Sequence, residues 1–122
     1  VKALNSGMKN KPDIIAIDGG STDSGPFSLG SGTSKYSRAA VKAEWKSLML
    51  AREKAKIPLI VGSSGTCGTN GMVDWMEDIT IELAKELDQS LKIAKLYCEQ
   101  DKNYIKNNFK NNKVSRLTLL LF

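Results

Sequence analysis

Apolar residues follow two rhythms along this chain. Ile14-Ile15-Ala16-Ile17 and Leu59-Ile60-Val61 are short uninterrupted runs, apolar on both alternating faces, as expected of a parallel strand covered on two sides. The first run stops at Asp18. The second is introduced by Pro58 and closed by Gly62, residues that belong at strand ends. Residues 93–98 are a third candidate strand, weakened by Lys95. Between the first two runs, residues 36–56 place Ala40, Val41, Trp45, Leu48, Met49 and Ala55 near the spacing of an amphipathic helix. Residues 73–88 repeat that rhythm with Val73, Met76, Ile79, Leu83 and Leu87.

The predicted order is therefore strand, helix, strand, helix, strand. Parallel strands need crossovers of this length, almost always right-handed. The pattern predicts an α/β fold: a three-layer sandwich with a mostly parallel central sheet and Gly/Ser/Thr-rich loops at the strand C-terminal ends. Trp45 and the methionines are expected in the core. Residues 101–113 predict a further helix, with Tyr104, Ile105 and Phe109 facing inward and Lys102, Lys106 and Lys110 outside. Residues 117–122 predict a fourth strand.

The 122 residues, 41% of them apolar, suit one domain spanning 1–122 with a real core. The chain opens on Val and ends on the apolar Leu119-Leu120-Leu121-Phe122, so the expectation is an N-terminal fragment of a longer protein, with a partner chain or a second copy covering its C-terminus. No apolar run approaches the roughly 18 residues that cross a bilayer, and no secretory signal pattern is present. The expected setting is cytoplasmic, with no membrane partner and with Cys67 and Cys98 reduced. Much of the net charge of +5 sits in a Lys- and Asn-rich stretch, residues 102–113. This reads as a solvated face rather than a nucleic-acid surface. The chain has no histidine, which excludes a Ser-His-Asp triad, a Cys-His dyad and any His-ligated metal site built from it alone. Proton transfer would fall to Asp, Glu, Lys, Tyr or Cys.

Two loops carry the candidate chemistry. In open parallel sheets, ligands bind where loops leave the carboxyl ends of strands and helix N-termini offer free N–H groups. The first loop reads Asp18-Gly19-Gly20-Ser21-Thr22-Asp23, and the second reads Gly62-Ser63-Ser64-Gly65-Thr66-Cys67-Gly68-Thr69-Asn70-Gly71. Together they would form a pocket of amide and hydroxyl donors suited to an anionic group. The binding set expected from this is Gly19, Gly20, Ser21, Thr22, Asp23, Gly62, Ser63, Ser64, Gly65 and Thr66. Lys35 and Arg38, at the start of the following helix, are placed to reach the anion. Asp18 and Glu99, each at a predicted strand end, are the candidates for moving a proton. Asp18 and Asp23 could equally brace their own loop as Asx-turns. A metal held by two carboxylates and hydroxyls would be a hard cation such as magnesium, but no metal or cofactor is assigned. Cys67 reads as small loop packing. The glycine spacings fit neither the dinucleotide pattern nor a Walker loop, since Ser31 stands where the Walker lysine is required.

The strings PDIIAIDGGSTDSGPFSLGSG, SKYSRAAVK, IPLIVGSSGTCGTNGMVDW and LYCEQDK resemble the N-terminal part of the acyclic terpene utilisation (AtuA-like) family, across residues 10–113. The matching polar positions are Asp18, Ser21, Thr22, Asp23, Ser63, Thr66, Asp74 and Trp75. The resemblance implies bacterial catabolism of coenzyme A thioesters or organic acids, and thus a small anionic metabolite as ligand. After Lys113 the chain departs from the longer continuation expected of that family. Two other readings stand beside this one. The stretch I-D-G-G-S-T is also similar to the first phosphate loop of the actin, sugar kinase and heat-shock ATPase group, which binds nucleotide with magnesium, although there the loop is a hairpin. A non-catalytic assembly module is the third.

Overall fold

The computed structural model describes residues 2–20 and 27–115. In chain order the elements are α1 (Lys2–Met8), β1 (Ile15–Asp18), α2 (Phe27–Ser31), α3 (Arg38–Ala55), β2 (Leu59–Gly62), α4 (Asn70–Glu86) and α5 (Lys102–Lys110). β1 and β2 pair in parallel, with Ile15 opposite Leu59, Ile17 opposite Val61 and Asp18 opposite Gly62. Because side chains alternate along a strand, this register turns Ile15, Ile17, Leu59 and Val61 to one face.

That face meets α3 and α4. Trp45 and Met49 from α3 and Met76, Ile79 and Leu83 from α4 form the buried cluster, with Ile17, Leu59 and Val61 packed against it. The Trp45 indole N–H donates to Thr80 Oγ1 at 2.8 Å, and the Thr80 hydroxyl donates to the Met76 carbonyl at 2.7 Å. The one polar edge of that tryptophan is thereby satisfied inside an apolar contact. Both long helices begin on a hydroxyl cap. Ser37 accepts from the Ala40 N–H, and Thr69 from the Met72 N–H. α3 stops where Lys56 turns left-handed, at φ 56°, and returns its N–H to Arg52 and Glu53. On the outer seam, Arg38, Lys42 and Lys46 of α3 face Glu82 and Glu86 of α4.

The expected three-layer sandwich is not what forms. Among the described residues the sheet has two strands, and the helices that make the core lie against one face of it. On the other face Ile60 is 53% exposed. The predicted strand at residues 93–98 forms no ladder, and Ile93, Leu96 and Tyr97 are exposed. The cause lies in its alternation. Lys95 reaches Asp74 and Glu77 of α4, the Tyr97 hydroxyl donates to Asp74, and Glu99 reaches Asn70. Every second residue is thus spent on polar contacts to a helix, which fixes the segment as an extended strap rather than a core strand.

α5 does form, but Tyr104, Ile105 and Phe109 are exposed rather than turned inward. α1 and α2 lay outside the predicted elements, and the fourth strand expected at 117–122 falls outside the described residues. Cys67 and Cys98 are free thiols. Among the described residues, no helix is long and apolar enough to cross a membrane.

Candidate functional site

The parallel register places the two glycine-rich loops on one rim. Asp18 and Gly62 are opposite each other at the ends of their strands, and the ladder runs one step further, with the Gly19 N–H donating to the Gly62 carbonyl at 2.7 Å. Beyond it the two backbones touch. A Cβ on Gly20 would lie 2.1 Å from the Thr66 carbonyl oxygen and 2.3 Å from its Cα. No side chain fits there, so the approach requires glycine.

The second loop is coiled tightly. Ser63, Gly65, Thr66 and Gly68 all have positive φ, at 49°, 60°, 79° and 65°, and the Gly68 N–H closes back on the Ser64 carbonyl at 2.9 Å. Non-glycine residues hold such angles only when surrounding contacts over-determine them. Thr66 shows how. Its side chain is 1% exposed, and its Oγ1 accepts the Lys35 backbone N–H at 3.0 Å and shares a hydrogen with Ser34 Oγ at 3.4 Å. Thr66 therefore ties the turn before α3 to the loop after β2, in contact with the start of the β1 loop. Ser64 is also buried, and Cys67 Sγ donates to Thr69 Oγ1 at 3.6 Å.

The other predicted residues separate by role. Asp18 is exposed, and its Oδ1 accepts the Gly20 N–H at 3.1 Å, an Asx-type brace of its own loop. Glu99 stands apart from that turn. Its Oε1 accepts the N–H of Asn70, the first residue of α4, at 2.7 Å, a favourable place for a carboxylate at the positive end of a helix. No hydrogen bond joins Asp18 to Glu99 among the described residues. Arg38 pairs with Glu82, 2.7 Å from its Nη1, and the Lys35 backbone N–H bonds Thr66. Ser21, Thr22 and Asp23 lie outside the described residues.

The electrostatically shifted groups lie on and beside α4, with Lys42 and Glu53 on α3. Asp74 is held below the usual carboxylate range, first by the Tyr97 hydroxyl and then by Lys95. Lys95 is raised in turn, by Glu77 foremost. Glu82 is lowered by Lys42 and then by Arg38.

One feature was missed by sequence reasoning. Between the end of β1 and α3 lies a cleft of about 370 Å³, floored by Ile17, Val61 and Trp45 and edged by Asp18, Tyr36 and Glu44. Ala40, Val41, Trp45 and Leu48 of the apolar stripe on α3 line it together with Tyr36 and Glu44, which lie outside that stripe. Among the described residues, no group of three or more cysteines or carboxylates is close enough to hold a metal ion. β1 takes its partner from β2, across a helix, rather than from a hairpin. No family model, no curated protein and no solved structure matches this chain.

Proposed function

We propose that this chain is the ligand-binding part of a bacterial catabolic enzyme acting in the cytoplasm on a small anionic metabolite, an acyl-CoA or an organic acid. The supporting observation is the register that sets Asp18 opposite Gly62, which brings two amide-rich turns to one rim beside an apolar cleft. In this reading the loop from Gly62 to Thr66 receives the anionic group, with Gly19 and Gly20 beside it. Asp18, at the mouth of the cleft, is the group placed to exchange a proton with substrate. The resemblance of D-x-G-S-T-D-x-G-P and G-S-x-G-T-x-G to the AtuA-like pattern supports the substrate class.

The test is a thermal-shift comparison of an acyl-CoA, a set of short organic acids, and ATP with magnesium. A ligand at a hundred times its Kd adds about 2.7 kcal/mol to stability, a readily measured shift. Stabilisation by an acyl-CoA or an organic acid is expected, and stabilisation by ATP alone would overturn the reading in favour of nucleotide phosphate.

A specific observation also favours assembly. Ile14 and Ile60, on the sheet face turned away from the helices, are 44% and 53% exposed, although parallel sheets are ordinarily covered on both faces. In this second reading, the chain works as part of a homo-oligomer or with a partner chain. Size-exclusion chromatography with light scattering distinguishes the two: a monomer at all concentrations removes the homo-oligomer.

A further inference from the structure

The cleft beside β1 has a chemistry of its own. Its volume, about 370 Å³, is within the range of small-molecule sites. The floor is aliphatic and aromatic, from Ile17, Val61 and Trp45, while the charged groups at its edge are the carboxylates of Asp18 and Glu44. Among the described residues that line it there is no lysine or arginine. The helix that forms its wall does carry cations, but Arg38, Lys42 and Lys46 are paired to Glu82 and Glu86 across the seam with α4. Glu44 makes no hydrogen bond or ion pair among the described residues, and Asp18 has one oxygen engaged, by the Gly20 N–H.

Apolar walls concentrate the field of the two carboxylates within the cleft. An anion entering it would be repelled by both of these carboxylates, the charged groups among the described lining residues. A cation would gain from both, and the exposed ring of Tyr36 adds an aromatic face to which an ammonium is drawn. We propose that this cleft binds a small organic ammonium ion with an apolar body, the charge toward the edge that carries Asp18 and Glu44 and the body over Ile17, Val61 and Trp45. The cleft shares Asp18, Gly19 and Gly20 with the rim invoked above, but the proposal rests on the charge and shape of the cleft and not on what the turn from Gly62 to Thr66 binds.

Three probes of one shape test it by titration calorimetry at pH 7: cyclohexylmethylamine, cyclohexylmethanol and cyclohexanecarboxylate. The amine is expected to bind more tightly than the alcohol by at least roughly tenfold, the factor that corresponds to about 1.4 kcal/mol. Two variants locate the binding. Ala40→Phe, on the exposed side of α3 where Ala40 lines the cleft, should fill the space and abolish amine binding with an unchanged circular dichroism spectrum. Asp18→Asn combined with Glu44→Gln should bring amine and alcohol to equal affinity. The proposal is overturned if the amine does not bind, if it binds no better than the alcohol, or if Ala40→Phe leaves its affinity unaltered. Carboxylate binding that disappears in Ala40→Phe would also overturn it.

Discussion

Gly20 lies against Thr66 so closely that a methyl group on its α-carbon would overlap the Thr66 carbonyl oxygen, 2.1 Å away. That contact joins the ends of two strands separated by an 18-residue helix, and it gives the first prediction. Gly20→Ala should destabilise the fold by about 1–3 kcal/mol, the usual cost of forcing volume into a packed site. Gly71, in the first turn of α4 with nothing within 4 Å of its would-be Cβ, is the control. Gly71→Ala should be neutral or stabilising by up to about 1 kcal/mol. Urea unfolding of both variants measures the difference.

Thr66 should behave as a joint whose hydroxyl carries the load. Thr66→Val keeps the branched shape but removes the acceptor for the Lys35 N–H, and the loss of such a part-buried hydrogen bond costs about 0.5–1.5 kcal/mol. Thr66→Ser keeps the oxygen and should lose less. Hydrogen exchange at the Lys35 amide should accelerate in the valine variant and stay near wild type in the serine variant.

The seam between α3 and α4 sets a pH dependence. Glu82 and Glu86 are both lowered from their ordinary 4.5, chiefly by Lys42. A carboxylate depressed in the folded state contributes stability above its ordinary value, and that contribution is lost as pH falls through the depressed one. Lys42 is raised above 10.5, so its share is present below that value and fades as pH climbs through the raised one. Stability should therefore drop between pH 5 and pH 3, a range bracketing the glutamates' ordinary value of 4.5. The drop should be smaller in Lys42→Met and at high salt, since the two glutamates are partly open to solvent. Urea midpoints at pH 7, 5 and 3 provide the comparison.

The strap at residues 92–100 and α4 make opposite predictions for one kind of change. Leu83 is 0% exposed and Leu96 79% exposed. Leu83→Ala should cost about 2–5 kcal/mol, whereas Leu96→Ala should stay within about 0.5 kcal/mol of wild type. A large loss at Leu96 would restore the third strand that the local sequence suggests.

These contrasts show what local pattern can and cannot convey. Ile15 to Asp18, Leu59 to Gly62 and the two long helices were legible because each carries its periodicity within itself, although α4 begins at Asn70, behind its Thr69 cap, three residues before the apolar rhythm starts. The strap was not, because the decision between core strand and surface strap was made by Asp74, Glu77 and Asn70, some twenty to thirty residues away, through Lys95, Tyr97 and Glu99. The same distance hid the Arg38 pairing: Glu82, 44 residues further along the chain, lies 2.7 Å from its guanidinium. The rim was legible from the rule that parallel strands end together. The cleft was not, because Glu44 and Trp45 gain their shared meaning only once β1 lies beside α3.

The most direct test of the account is the proton–proton contact between Gly20 and Thr66 in a nuclear Overhauser spectrum of the assigned chain. Strong cross-peaks from the Gly20 α-protons to Thr66, with weaker ones between Gly19 and Gly62, are the predicted result. A spectrum in which residues 18–20 show only sequential contacts, and none to residues 62–66, would contradict it.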